Sequence, residues 1–298
     1  MEKILQLKNV DDYNKIMGEE TLHPLVSVID FSNARPILNQ LRNFGFYAVF
    51  LKDVNCGDLR YGKDYYDYQE GTLVFIAPGQ VSGVESDGSK IQPKGYALIF
   101  HPDLIKGTSL GHNMHNYNFF SYDTREALHL SDKERQIVLD CFAKIRYELQ
   151  QGIDKHSKTL IASNIELFLN YCLRFYDRQF ITRENVHKGV LENFEAQLHE
   201  YFQGNKAQHA GLPTVAYFAA ASNLSPNYFG DLVKKEMGIP AQEYIQNKVI
   251  DLAKEKVFDI SKSVSEIAYE LGFKYPQHFT RLFKQKVGIT PNEYRHLN

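Results

Sequence analysis

A short stretch near the C-terminus concentrates positive charge in a chain whose formal net charge is only −2. From Lys274 to Lys286 it also contains Arg281 and Lys284, and it has no acidic residue. Lysine and arginine can neutralise phosphates, and the forked guanidinium of arginine matches the O6 and N7 atoms of guanine. Gln277 and Arg281 are four residues apart, so a helix would place them on one face. This spacing predicts a helix that contacts base edges and phosphates.

The elements around this stretch are predicted from capping signals. Ser263-Val264-Ser265-Glu266 is a capping box that opens a short helix, and Gly272 ends it. Pro276 then lies near the start of a second helix that stops at Gly288. The short helix, the tight turn and the second helix together form a helix-turn-helix. The second helix of such a unit can enter the DNA major groove.

The same unit occurs twice. Shifted by about 50 residues, the segment 214–237 matches the segment 264–287, with Asn223 at the first turn and Ser225-Pro226 opening the second helix. Two copies are too few for a solenoid. A pair of hairpins that only pack against each other is the alternative, and the local positive charge favours DNA binding over it.

The N-terminal part is predicted to be a small antiparallel β-barrel or sandwich. Its apolar runs at 46–51, 72–76 and 96–100 are bounded by glycine and proline. Phe46, Phe50 and Phe75 alternate with their neighbours, which predicts that they line a pocket for one small ligand. A barrel core filled by the same side chains explains the pattern equally well.

Two amphipathic helices are predicted next, over about 131–151 and 157–176. The first opens with the capping box Ser131-x-x-Glu134. At least one apolar face of the pair is expected to pack on the helices' own domain, and the remaining apolar surface predicts an isologous homodimer contact. Residues 177–187 are polar, break the pattern and are interpreted as a linker.

Composition excludes several classes. The three cysteines form no Cys-x-x-Cys motif, which fits a reducing cytosol and disfavours a zinc ribbon or disulfide scaffold. The first residues do not resemble a signal peptide, and no apolar run is long enough to cross a membrane.

The motifs of the last 110 or so residues resemble the signature of AraC/XylS-type transcription regulators. They are Ser263–Ala268, Gly272-Phe273, Phe279–Lys284, Gly288–Pro291 and Tyr294-Arg295. The resemblance implies an α+β two-domain chain: a cupin-like antiparallel β-barrel with two following helices at 1–176, a linker at 177–187, and an all-α double helix-turn-helix domain at 188–298. It also implies a homodimeric cytoplasmic bacterial regulator that binds double-stranded DNA, responds to a small molecule held by the N-terminal domain, and meets RNA polymerase at promoters.

The expected DNA contacts follow from the matched positions. They are Ser225, Asn227, Asp231 and Lys234 in the first unit, and Lys274, Tyr275, Gln277, Thr280, Arg281 and Lys284 in the second. The first unit departs from the family pattern because it has Asn227, Gly230 and Asp231 where bulky or cationic base readers are frequent. Less sequence reading is therefore expected from it.

Two other functions remain as alternatives. A cupin-class metalloenzyme is disfavoured because Tyr65–Tyr68 replaces the expected histidine pair. His112-x-x-His115 has metal-ligand spacing but no nearby partner ligands, so a solvated loop is expected and no metal, cofactor or catalytic residue is assigned. The second alternative is an interaction adaptor that has lost DNA binding.

Overall fold

The computed structural model describes residues 4–52, 71–83, 88–123, 126–182 and 184–296. The chain divides into two compact units, residues 1–182 and 183–298, and each is described by itself. The predicted metal-ligand stretch Tyr65–Tyr68 lies outside the described residues. None of the described helices is long and apolar enough to cross a membrane.

The N-terminal unit contains short strands and five helices in the part that the structure describes. The strands are β1 (Leu5–Leu7), β2 (Val26–Asp30), β3 (Ile37–Leu38), β4 (Arg42–Phe44), β5 (Tyr47–Lys52), β6 (Thr72–Ile76), β7 (Val81–Ser82), β8 (Lys90–Ile91), β9 (Tyr96–Phe100) and β10 (Leu128–His129). The helices are α1 (Val10–Met17), α2 (Pro102–Ile105), α3 (Ser109–Asn113), α4 (Asp132–Gln150) and α5 (Ser157–Thr182).

The strands form open sheets, which corrects the expectation of a closed barrel. An antiparallel sheet has the order β10-β6-β5-β9-β2, and a smaller sheet has the order β1-β4-β7 with β1 and β4 parallel. A third pair joins β3 and β8. Strand β6 is buried at all five positions, as expected for a strand covered on both faces. The five-stranded sheet is therefore covered by separate layers on its two faces rather than closed on itself.

Helix α4 has the predicted boundaries, and α5 runs further than predicted. Ser131 and Glu134 form the reciprocal capping box of α4. Helix α5 continues through residues 177–182, so this part of the predicted linker is helical. Gln179 explains the difference: its Oε1 accepts a hydrogen bond from the His129 backbone N–H, and its Nε2 donates to the Ala127 carbonyl. Phe180 is also buried, so tertiary contacts maintain a helix that the polar local sequence did not predict.

The C-terminal unit is all helical in its described residues. Its helices are α6 (Glu184–Gln203), α7 (Lys206–Ala210), α8 (Val215–Ala221), α9 (Pro226–Met237), α10 (Ala241–Lys256), α11 (Val264–Glu270), α12 (Pro276–Val287) and α13 (Pro291–Arg295). One apolar core joins them. Phe194, Phe218, Phe229, Phe279 and Phe283 are each exposed by 1% or less in that core.

Candidate nucleic-acid interface

Helices α8 and α9 form the first helix-turn-helix. Thr214 caps α8, its Oγ1 accepting a hydrogen bond from the Tyr217 backbone N–H at 3.2 Å. Asn223 in the turn has φ +55°, a left-handed conformation that asparagine tolerates better than most residues. The Ser225 hydroxyl then accepts from the Tyr228 backbone N–H and caps α9. These local signals fix where the exposed face of α9 begins.

Helices α11 and α12 form the second helix-turn-helix. The Ser263 hydroxyl accepts from the Glu266 N–H at 3.2 Å, and the Glu266 carboxylate accepts from the Ser263 N–H at 2.6 Å. This backbone hydrogen bond holds the pKa of Glu266 below its usual range. Gly272 has φ +91° in the turn, and Pro276 occupies the first turn of α12. The capping box and turn glycine predicted from the sequence are both present.

Both second helices bury one side and expose the other. Helix α9 buries Phe229, Leu232 and Val233, whereas α12 buries Phe279 and Phe283. Buried aromatic rings on one side determine which side chains of each helix remain outside. The helix orientation therefore follows from core packing rather than from the polar residues.

The outward positions match between the two helices. On α12, Gln277, Arg281 and Lys284 are all exposed and follow an i, i+4, i+7 spacing. On α9 the corresponding residues are Asn227, exposed, and Asp231, half-buried. Exposed Lys234 completes that set. Each helix thus presents one polar stripe, which is cationic on α12 and mixed in charge on α9.

One of the four predicted cations is engaged within the protein. Lys286 Nζ donates to Glu243 Oε1 of α10 at 2.7 Å, and its side chain is only 22% exposed. Lys274, Arg281 and Lys284 remain exposed. Lys274 just before α12 and Arg281 and Lys284 on α12 therefore supply the exposed positive charge.

Two hydroxyls among the predicted contact residues are used locally. Ser225 is buried and acts as the cap of α9. The Thr280 hydroxyl donates a hydrogen bond to the Pro276 carbonyl at 3.1 Å, so its only proton is used within α12. Ser225 therefore positions α9. Thr280 is half-buried and lies beside the exposed stripe.

Tyr275 lies at the start of α12 and is half exposed. Lys274 Nζ is 5.7 Å from the centroid of its ring, and the ring of His278 packs against it edge-on at 5.4 Å. A cation over a ring is held in place by the ring quadrupole. Lys274 and Tyr275 thus form one preorganised corner of the interface.

A groove of about 590 Å³ beside α12 was not predicted from the sequence. It lies between residues 211–213, helix α10 and helix α12. Gln242, Gln246 and Gln285 line it with His278 and Arg281. No acidic residue is among its lining side chains, so it extends the polar surface around Arg281. The i, i+4 spacing of Gln242 and Gln246 was the signal that could have shown it.

The turn before α12 rests directly on backbone. A Cβ atom at Gly272 would lie 2.8 Å from the Gly211 carbonyl carbon and 2.9 Å from the Ala207 carbonyl oxygen. Real Cβ atoms are essentially never this close, so only glycine fits without a shift of the chain. This contact sets the position of α12 against the rest of its unit.

The structure does not bring the three predicted pocket phenylalanines together. Phe46 and Phe50 point to the face of the five-stranded sheet that α1 covers. Phe75 is paired with Val49, and Val49 points to the face opposite that of its neighbour Phe50. Phe75 therefore lies on the opposite face, where its ring centroid is 4.4 Å from that of Phe119. The prediction of a single pocket lined by all three residues is therefore wrong. Alternation within one strand does not reveal the register of β6 against β5, which decides the face on which Phe75 lies.

His112 lies in α3 and His115 just after it, so the predicted loop is helical, whereas both side chains are exposed as predicted. The Nδ1 atoms of both lie within hydrogen-bond distance of backbone carbonyls, those of Thr108 and His112 respectively. Within the described ranges, no group of three or more His, Cys, Asp or Glu side chains is arranged to hold a metal.

Comparison with known proteins bears on the C-terminal unit. Residues 218–296 match a family described as a helix-turn-helix domain. The C-terminal unit contains a helix-turn-helix domain of the AraC type. This AraC-type domain includes all of α9 to α13, and hence both exposed stripes.

The relatives of the AraC-type domain are named regulators. The HTH-type transcriptional regulator YfiF of Bacillus subtilis is 32% identical over 141 residues, which are 47% of this chain and 41% of that protein. YobQ of the same organism, also named an HTH-type transcriptional regulator, is 28% identical over 82% of this chain and 95% of its own length. The chain spans half or less of the length of several curated relatives it matches.

Among solved structures, the C-terminal domain of the response regulator yesN from Fusobacterium nucleatum is similar. It is 27% identical, with a TM-score of 0.31, over 35% of this chain and 99% of that one.

Proposed function

We propose that this protein is a sequence-specific DNA-binding transcription regulator of the AraC type. The observation that carries the proposal is the exposed stripe Gln277, Arg281 and Lys284 on α12, the second helix of a helix-turn-helix. Such a helix fits the major groove, where glutamine suits adenine and arginine suits guanine. The cationic stripe is a local feature of a nearly neutral chain, as a DNA-facing surface requires.

Roles follow from position along α12. Gln277 and Arg281 face base edges, whereas Lys284 and the Lys274–Tyr275 corner face phosphates on either side. Phosphate contacts fix the register of the helix, and base contacts give the sequence preference. Gln242, Gln246 and Gln285 border Arg281 and add hydrogen-bonding groups beside the same helix.

The first helix-turn-helix plays a weaker reading role. Asn227 can bond to adenine and Lys234 to phosphate, whereas the Asp231 carboxylate repels phosphates and can accept only from a donor such as cytosine N4. Ser225 contributes by capping the helix that carries them. The binding site on DNA should therefore be read more strictly on the side of α12.

The N-terminal unit serves as a sensing and dimerisation domain in this proposal. Two observations support it: a buried aromatic cluster against the five-stranded sheet, and exposed apolar side chains on α4 and α5. Tyr147, Leu160 and Leu167 are 62%, 45% and 41% exposed. RNA polymerase is the proposed partner at the promoter, and a small molecule is the proposed effector.

The bacterial cytoplasm is the proposed location, with the protein on the nucleoid when it is bound to DNA. Cys141 and Cys172 are free, buried thiols, and burial raises the pKa of both. Unpaired thiols are typical of a reducing compartment. A regulator is favoured over a cupin-class enzyme because DNA binding explains the polar stripe of α12, whereas a cupin-type reaction does not.

Selection of binding sites from a random duplex library by the full-length protein tests the proposal. Enrichment of a defined motif that is lost with the double variant Gln277→Ala/Arg281→Ala is expected. The control variant Lys248→Ala removes an exposed cation on α10 and should enrich the same motif. An unenriched library, or a motif unaffected by the double variant, would contradict sequence reading by α12.

A further inference from the structure

Thr280 lies between two members of the exposed stripe of α12. It follows Gln277 by three residues and precedes Lys284 by four, so the three side chains are neighbours on the helix surface. Gln277 and Lys284 are exposed, whereas Thr280 is half-buried. Part of its side chain therefore reaches the surface that faces outward from α12.

The hydroxyl of Thr280 is directed back toward the backbone of its own helix. It donates a hydrogen bond to the carbonyl of Pro276, four residues earlier, at 3.1 Å. Threonine in a helix makes this kind of bond, which selects one orientation of its branched side chain. Because Cβ is tetrahedral, the methyl group then takes a different direction from the hydroxyl. The methyl group is thus the part of Thr280 that can meet a partner.

The first helix-turn-helix gives an independent view of the same position. With the shift of about 50 residues that aligns the two units, Gly230 of α9 corresponds to Thr280 of α12. A Cβ atom at Gly230 would meet nothing within 4 Å. The position therefore faces open space in α9, as a base-facing position must. The two helices differ because α12 has a methyl group there and α9 has none.

We propose that the methyl group of Thr280 contacts the C5 methyl group of a thymine, so that thymine is preferred at one position of the DNA site. Thymine is the only DNA base with a methyl group in the major groove, and threonine methyl groups make apolar contacts with it. Cytosine has a hydrogen atom at C5 and lacks this contact. The inference deepens the proposed function and rests on it, because α12 must lie in the major groove.

The contact also assigns a division of labour along α12. Gln277 and Arg281 can bond to purine edges, whereas Thr280 adds apolar reading of a pyrimidine. Burying two methyl groups against each other removes apolar surface from water, so the contact is favourable without any hydrogen bond. Because Gly230 has no side chain, α9 should show no such preference at its matching position.

Deoxyuridine substitution tests the contact, because uracil lacks only the C5 methyl group of thymine. Each thymine of the selected motif is replaced in turn, and the full-length protein is titrated with each duplex. We expect at least one replacement to weaken binding by about fourfold, the usual effect of losing one buried methyl group. The ratio of the dissociation constants for the uracil and thymine duplexes is then compared between variants.

Two conservative variants separate the methyl group of Thr280 from its hydroxyl. Thr280→Ser keeps the hydroxyl and loses the methyl group, so it should bind the thymine and uracil duplexes equally well. Thr280→Val keeps the methyl group and loses the hydroxyl, so it should retain the preference of the wild type for thymine. Lys284→Ala is the control, because it should weaken both duplexes alike and leave their ratio unchanged. A general loss of helix stability likewise cancels in this ratio.

The assignment is overturned if no thymine replacement weakens binding, if Thr280→Ser keeps the preference for thymine, or if Thr280→Val loses it. The second result would place another side chain against the methyl group, and the third would make the hydroxyl the reading group. A selected motif without a uracil-sensitive thymine contradicts only the role of Thr280. A library without any enriched motif contradicts the DNA-binding function itself, and the role of Thr280 with it.

Discussion

Asn223 and Gly272 occupy equivalent positions in the turns of the two helix-turn-helix units, and both have a left-handed backbone. Their φ angles are +55° and +91°. The same turn is thus built twice with different residues. The difference lies in the surroundings, because the missing Cβ of Gly272 leaves room for the backbone at Ala207 and Gly211.

This relationship predicts opposite tolerance at the two turns. Gly272→Ala should lower the free energy of unfolding by more than about 2 kcal/mol, since it adds left-handed strain to a backbone clash. Asn223→Gly should change it by less than about 1 kcal/mol, because glycine adopts the same conformation freely. Denaturant unfolding of both variants measures the two values. Equal effects would show that the contact with Gly211 does not hold the turn.

Local signals made the helix-turn-helix units predictable from the sequence. Capping at Ser263 and the turn glycine Gly272 act within a few residues, so their effect can be read without knowing the fold. Lys286 is different, because its partner Glu243 lies 43 residues away and only the packing of α10 on α12 brings them together. Phe75 was misplaced for the same reason, as strand register depends on a neighbouring strand.

Arg281 should carry most of the sequence discrimination. Arg281→Ala is expected to reduce the difference in binding free energy between the selected motif and scrambled DNA by about 1–3 kcal/mol, since a bidentate contact to guanine is lost. Asn227→Ala, at the α9 position matching Gln277, should reduce it less. Binding isotherms on both duplexes give the ratio of the two dissociation constants. A larger effect of Asn227→Ala would assign the main reading role to α9 instead.

Lys284 and Lys286 are two residues apart on α12 and should behave differently. Lys284→Ala removes an exposed cation, so it should weaken selected and scrambled DNA alike and reduce the salt slope by about one unit. Lys286→Ala breaks the pair with Glu243, so it should leave the slope unchanged and lower stability by at most about 1 kcal/mol. Affinities at several salt concentrations, with thermal melts, separate the two. Similar slopes for the two variants would contradict the assignment.

The exposed leucines of α5 should mediate self-association. Leu160 and Leu167 are seven residues apart and so share one helical face. The full-length protein should sediment as a dimer, and the double change Leu160→Glu/Leu167→Glu should shift it toward the monomer, because two buried charges oppose the contact. Leu38→Glu, at a comparably exposed leucine of β3, is the control and should remain dimeric. A monomeric wild type at high micromolar concentration would contradict this interface.

Gly230 offers a separate test of whether α9 lies against DNA. It occupies the interior of α9 between Asn227 and Lys234, and a Cβ there would meet nothing within 4 Å. Gly230→Ala should therefore raise the free energy of unfolding by about 0.5–1 kcal/mol, the usual helix gain of alanine over glycine. Because the added methyl group lies on the outward side, we also expect weaker binding to the selected motif.

Gly189 in α6 is the matched control for this change, because a Cβ there is equally unobstructed. Gly189→Ala should give a similar gain in stability and leave DNA affinity unchanged. Unfolding curves and binding isotherms of the two variants are compared side by side. If both variants are more stable and both bind DNA as the wild type does, no close approach of DNA to the middle of α9 takes place, and Asn227 and Asp231 lose their proposed roles.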